Sequence, residues 1–296
     1  MTARFATLTD ADIAAEKAKF PRAFSPTLQE RVAFWIKWGG GSLLTLYCLY
    51  RFNFLSGDFL HGMGKFGSVV IGEMFPPTGW EHLPLFLRVI GETIAMAFMG
   101  TLLGAVVAFP FSFLASKNMT RSRPLQFGTR RFADLLRSFD YLIWALIFVR
   151  AIGLGPLAGI MAIAIVETGT FIKLYSEAIE NLDRKQIDGV TAAGGNGLER
   201  IRFGVLPQVL PMMLSNTLYM FEHNVRSASI LGIVGAGGIG FLLADRLRAY
   251  ELQEACLIII LVVLTVYAID YLSQVLRYYL IGAEERTPPA DDAEPR

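Results

Sequence analysis

The sequence predicts an all-α integral membrane protein of about six transmembrane helices, and three observations support that class. Apolar residues fill 53% of the 296 positions, above the share of an ordinary soluble domain. Long uncharged runs alternate with short charged connections, a pattern that suits a bilayer better than one water-soluble core. Lys and Arg gather in alternate connections, which places both termini in the cytoplasm. The net charge of +1 says little about partners.

Residues 1–32 read as a cytoplasmic tail. Asp10, Asp12, Glu16, Lys17, Lys19 and Arg22 occur there without an apolar run, so no cleavable signal peptide is expected and the first span directs insertion. Thr9 and Asp12 fit a capping box opening a segment from Ile13 and Ala14 to Phe20, which reads equally as an interfacial helix or a disordered tail.

Residues 33–280 form the membrane domain. Residues 93–116, 203–221, 227–244 and 255–269 hold no charged side chain, and weaker apolar segments surround them. Spans are expected near 33–54, 85–115, 134–153, 155–177, 208–235 and 252–278. One side collects Arg4, Lys17, Lys19, Arg22 and Arg31, then Lys117, Arg121, Arg123, Arg130 and Arg131, then Arg184, Lys185, Arg200 and Arg202. The other side holds Arg51, Lys65, Arg246 and Arg248. The richer side is cytoplasmic, because Lys and Arg are retained there. Residues 281–296, polar from Glu284 through Pro288 and Pro289 to Arg296, are expected to be disordered. Cys48 and Cys256 sit in apolar stretches and read as packing residues, and no internal repeat is visible.

The connection between the fourth and fifth spans, residues 178–207, is too long and too patterned for a simple turn. From Asp188 it reads DGVTAAGGNGLERIRFGVLP. A short helix can end sharply at Gly194 and Gly195, since glycine readily takes positive φ. Pro207 suits the first turn of the next span, whose amides have no intrahelical acceptor. Ala192 and Ala193 offer a low surface able to lie in a groove of a partner. The spacing resembles the coupling segment of binding-protein-dependent ABC importer permeases, where an acidic residue and two alanines precede a glycine and a Leu-Pro pair follows. The resemblance implies that Asp188, Gly189, Ala192, Ala193, Gly194, Leu206 and Pro207 meet an ATPase subunit. Asp188 departs from the usual Glu, Gly189 and Val190 from the two alanines, and Gly204 from a common aliphatic residue.

Gly235, Gly237 and Gly240 satisfy G-x-G-x-x-G, but a dinucleotide fingerprint needs a preceding strand and a βαβ unit. Here the glycines lie in an uncharged run at the outer end of a span. Gly232, Gly235, Gly237, Gly238 and Gly240 read instead as close helix packing or an unwound gate. The sequence also lacks G-x-x-x-x-G-K-[ST], so no cofactor is expected in this chain, and ATP and Mg are expected in a partner.

Charges inside or at the edges of spans invite a functional reading, because they are costly there. Arg88 with Glu92 and Glu222 with Arg226 are i,i+4 pairs, and Arg137 with Asp140 is i,i+3, so mutual neutralisation is the alternative reading. The stretch FEHNVRSASILGIVGAGGIG, from Phe221 to Gly240, is the most particular in the chain. With Gly155-Pro156-Leu157-Ala158-Gly159 and the coupling segment, it resembles the permease of phosphonate ABC importers over residues 85–278.

On that reading Arg226, with Asn224, Ser227 and Ser229, lines a pathway and offers hydrogen bonds to a phosphorus oxyanion, since its planar fork addresses two oxygens. Glu222 orients Arg226, while Glu167 and Glu92 are support or packing groups. His61, His82 and His223 lack metal-ligand spacing. The resemblance implies a second copy of the chain, two ATPase subunits, an extracytoplasmic binding protein and residence in the inner membrane, with no nucleic acid and no covalent chemistry of its own. Alternatives are an importer of phosphate, phosphite, methionine or a quaternary ammonium compound, or a secondary transporter, against which the missing repeat counts. An enzyme using Glu222 and His223 is disfavoured, because adjacent helical residues point about 100° apart.

Overall fold

A computed structural model describes residues 28–52, 54, 57–120 and 122–281, and all regular structure among them is helical. The expected interfacial segment, Thr9 to Phe20, and the tail from residue 282 lie outside the described residues. The chain divides into two units, Met1–Gly72 and Glu73–Arg296.

The first unit carries α1 (Leu28–Arg51), which covers most of the expected first span, and α2 (Gly57–Ser68). A π-helical turn, Val69–Glu73, follows.

The second unit begins with a 3-10 turn at Trp80–His82 and continues as α3 (Leu83–Ala115), α4 (Arg123–Leu136), α5 (Tyr141–Ile152) and α6 (Pro156–Glu180). Then come α7 (Arg184–Ala192), a helical turn at Gly197–Glu199, a π-helical stretch at Arg200–Val205 and α8 (Leu206–Leu231). A 3-10 turn at Gly232–Val234, α9 (Ile239–Arg248) and α10 (Leu252–Ile281) complete it. Pro84, Pro156 and Pro207 stand at the starts of α3, α6 and α8, where a missing amide proton costs nothing.

Among the described residues three helical segments are long and apolar enough to cross a membrane: Trp80–Ala115, Pro156–Glu180 and Leu252–Tyr279. Segment Gly197–Val234 with Ile239–Arg248, bent by 44°, makes a fourth. The expected continuous span at 134–153 is broken. Its apolar helix is only the 12 residues of α5, because the Asp140 carboxylate accepts from the Leu142 amide and so starts a new helix. Arg137 correspondingly pairs with Asp134 at 2.7 Å, not with Asp140 as its spacing suggested.

The centre of the second unit is α3 against α6. In lipid the drive for helix association is packing and interhelical hydrogen bonding, since acyl chains are as apolar as leucine. Small buried residues supply that packing on α3: Ala97, Gly100, Gly104 and Ala108 recur at helical spacing. Gly100 and Gly104 are the close points, where an added Cβ would lie 2.7 Å from the Cβ of Ile163 and of Glu167, respectively. The packing continues toward the end that carries α7 around Phe171, Ile179 and Val209, and toward the opposite end around Phe86, Ile239 and Ile258.

Candidate functional site

The segment singled out between α6 and α8 folds as a small exposed knob. Asp183 opens α7 by accepting from the Lys185 amide at 3.0 Å. At its other end the Gly194 amide donates to the Thr191 carbonyl and the Gly195 amide to the Val190 carbonyl, each at 3.0 Å. That is a Schellman closure, and it places Gly194 at φ 85°, in the left-handed region where glycine is at home. Asn196 and Glu199 then form a reciprocal capping box. Asp188, Gly189, Ala192 and Ala193 are all exposed, while Leu206 and Pro207 carry the chain into α8. Gly204, the departure from an aliphatic pattern, is buried where a Cβ would lie 3.2 Å from the Ile187 Cα, so α7 rests directly on the π-helical stretch.

Beside the knob lies a cavity of about 530 Å³ lined by Lys117, Asn118, Arg184, Asp188 and Arg200. Next to it Glu180 accepts from the Lys117 amide at 2.7 Å and pairs with Arg130. Arg184 donates to Asn118 at 3.2 Å.

The polar stretch of α8 does not form one cluster. Asn224 is fully buried and donates to Thr101 at 2.9 Å, whereas Arg226, two residues on, points to the exposed side. The expected Glu222–Arg226 pair is replaced by two pairs to α10: Arg277 meets Glu222 at 3.0 Å and Arg226 meets Asp270 at 3.7 Å. Arg277 also lies 5.7 Å above the Tyr219 ring. Same-helix spacing allowed the Glu222–Arg226 pair, but only cross-helix pairing neutralises Asp270 and Arg277 of α10 as well. Ser227 and Ser229 donate to the carbonyls of His223 and Val225, four residues back, so their protons are turned into the helix. Glu92 is exposed and lies 3.6 Å from Arg88, as the i,i+4 spacing indicated.

Glu167 is fully buried on α6. It accepts from the Tyr141 hydroxyl at 2.7 Å. Glu167 Oε2 and Asn224 Oδ1 have no hydrogen-bond partner among the described residues.

The glycine cluster is a packed turn. Gly235, Gly237 and Gly238 have φ of 94°, 80° and 71°, and the turn is stitched to its neighbours by Gly155 N–H donating to Gly235 O and Ile239 N–H donating to Thr93 Oγ1 at 2.8 Å. An added Cβ at Gly240 would lie 1.9 Å from Ser229 O, and one at Gly232 2.6 Å from Gly237 O. A corner missed in the sequence lies near this end, where Glu254 joins His82 at 3.5 Å and Arg246 at 3.3 Å. His82 comes from a distant segment, and Arg246 and Glu254 lie eight residues apart on two successive helices, so no same-helix spacing reveals the group.

Residues 100–282 match the family described as the binding-protein-dependent transport system inner membrane component. The chain belongs to that family. It is therefore an inner-membrane, multi-pass protein, and the matched region runs from Gly100 through the knob, the polar stretch and the glycine turn. It is 34% identical over 238 residues to the phosphite transport system permease protein PtxC of Stutzerimonas stutzeri, covering 79% of this chain and 85% of PtxC. It is 36% identical over 217 residues to the phosphate-import permease protein PhnE of Mycolicibacterium smegmatis, covering 73% of this chain and 41% of PhnE. Among solved structures, an inward-facing MetNI methionine ABC transporter superposes with a TM-score of 0.61 at 20% identity, covering 69% of this chain and 99% of that one. The family's fold is thus an ABC importer permease fold.

Proposed function

We propose that this chain is the permease subunit of an ATP-driven importer that carries phosphonate or a related phosphorus oxyanion into the cytoplasm by alternating access. The observation that carries the reading is the double-capped, exposed helix α7 inside a chain whose relatives are named phosphite and phosphate permeases. A rigid helix seated on the start of α8 can pass a push from a partner into a spanning helix. The partner is an ATPase subunit holding ATP and Mg, and Asp188, Ala192 and Ala193 form the contact. A second copy of the chain completes the pathway, and an extracytoplasmic binding protein delivers cargo to the far side.

Within the pathway Arg226 is the anion contact. Its side chain is 53% exposed, and Asp270, at 3.7 Å, lies beyond good hydrogen-bond range and leaves guanidinium donors free. Asn224 and Glu167 hold helices together. Glu222 belongs with Arg277.

The class is tested by co-purification with the co-expressed ATPase and by uptake in liposomes. Uptake by this chain alone, driven by an ion gradient, would remove the reading. Cargo is tested by the affinity of the cognate binding protein for 2-aminoethylphosphonate, phosphite and phosphate, and no affinity for any of them would refute the oxyanion assignment.

A further inference from the structure

We infer that α4 and the adjoining half of α6 form a binding site for the headgroup of an anionic phospholipid. A cavity of about 230 Å³ opens between these helices, lined by Arg130, Arg131, Asp134, Arg137, Lys173 and Glu177. The charges do not balance. Arg130 is consumed by Glu180 and by the Ala115 carbonyl. Arg131 and Arg137 then share the single carboxylate of Asp134, at 3.1 and 2.7 Å. Lys173 reaches Glu177 only at 3.9 Å. Three cations thus face two carboxylates, and the two guanidiniums retain more donors than one carboxylate can accept. A phosphodiester supplies the missing single negative charge and the oxygens that match a guanidinium fork.

The surroundings select a lipid over free phosphate. α4 is held to the protein by Gln126 and Arg130, both donating to Ala115 O, and by the buried Ala133. Its remaining surface exposes Leu125, Phe127, Phe132 and Leu135, between 48 and 64% accessible. Arg131 lies 5.3 Å above the Phe127 ring, so charge and apolar surface meet at one point. A free oxyanion gains nothing from that apolar rim, whereas acyl chains do. A basic cavity beside a spanning helix at the cytoplasmic leaflet is suited to an anionic headgroup, and the orientation expected from the Lys and Arg distribution puts this one there.

The test uses the permease co-purified with its ATPase and reconstituted in nanodiscs of phosphatidylcholine with or without phosphatidylglycerol. Wild type should retain phosphatidylglycerol by native mass spectrometry and unfold at a higher temperature in its presence. With each surface cation worth roughly fivefold in affinity, Arg131→Gln with Lys173→Gln should weaken retention about 25-fold and abolish the thermal shift. Should the double variant unfold early in phosphatidylcholine alone, Lys173→Gln by itself, half exposed, is titrated and should weaken retention about fivefold. Equal retention by wild type and variant would overturn the site. A thermal shift reproduced by inorganic phosphate in pure phosphatidylcholine would overturn its assignment to lipid.

Discussion

Substituting Gly104 by Ala tests the contact on which the bundle is built. The new Cβ would lie 2.7 Å from the Glu167 Cβ, 3.2 Å from the Ala164 carbonyl oxygen and 3.2 Å from the Thr168 amide. Carbon atoms rest about 3.5–4.0 Å apart, so α3 and α6 must part by roughly 1 Å or bend. None of these neighbours is the free end of a flexible side chain, so the strain has no cheap outlet. Overpacking of this kind costs about 1–3 kcal/mol, a roughly 5- to 150-fold fall in the folded-to-unfolded ratio. Gly91→Ala on the same helix is the control, because its Cβ would meet nothing within 4 Å and alanine favours a helix. The assay is thermal unfolding of the purified complex followed by tryptophan fluorescence. Gly104→Ala should unfold well below wild type and Gly91→Ala at or above it. Coincident curves for all three proteins would refute the argument that α3 and α6 are held at glycine distance.

Glu167→Gln keeps an acceptor for Tyr141 and adds an amide donor near the orphan Asn224 oxygen, so it should retain stability, while Glu167→Leu strands the Tyr141 hydroxyl at about 1–3 kcal/mol. Equal unfolding of the two variants would remove Glu167 from the polar contact. Arg226→Ala should cut oxyanion uptake about tenfold or more, the worth of a hydrogen bond to a charge, and leave assembly with the ATPase intact. Unchanged uptake would take Arg226 out of the pathway. Gly194→Pro cannot adopt φ 85° and should break the Schellman closure, leaving ATP hydrolysis in the complex without transport. Normal coupling in that variant would show that the knob's shape is not what transmits the stroke.

How much of this was readable in the sequence depends on the range of the interaction. Uncharged runs are local, so α3, α6, α8 and α10 could be placed to within a few residues. The break at Asp140 was also local, and an N-cap there could have been inferred from an Asp preceding an apolar run. It was hidden because hydropathy averages across it. The α3 contact surface carried a signal too: Gly100 and Gly104 form G-x-x-x-G inside an uncharged run, the spacing at which helices approach closely. Asn196 and Glu199 likewise showed the capping-box spacing. The partners of Glu222 and Arg226 were not readable, because Asp270 and Arg277 lie on a helix whose rotation and depth no local pattern sets.

The cross-helix pairing follows from what each alternative leaves behind. Had Glu222 and Arg226 paired along α8, Asp270 and Arg277 would stand seven residues apart on α10, beyond the three- or four-residue spacing at which helix neighbours meet. Both would then be unpaired in an apolar span, where a charge at the helix centre costs about 2.5–3.5 kcal/mol even by the lenient insertion scales, and less toward the end where Arg277 sits. An exposed i,i+4 pair returns only about 0.2–0.5 kcal/mol. Two cross-helix pairs neutralise all four charges, so the penalty avoided on α10 outweighs the local pair on α8 by several fold. The same balance makes the pairs directional constraints: α8 cannot slide past α10 by one turn without separating both. Any motion that α7 passes into α8 must therefore carry α10 with it, or exchange Asp270 for another anion at Arg226.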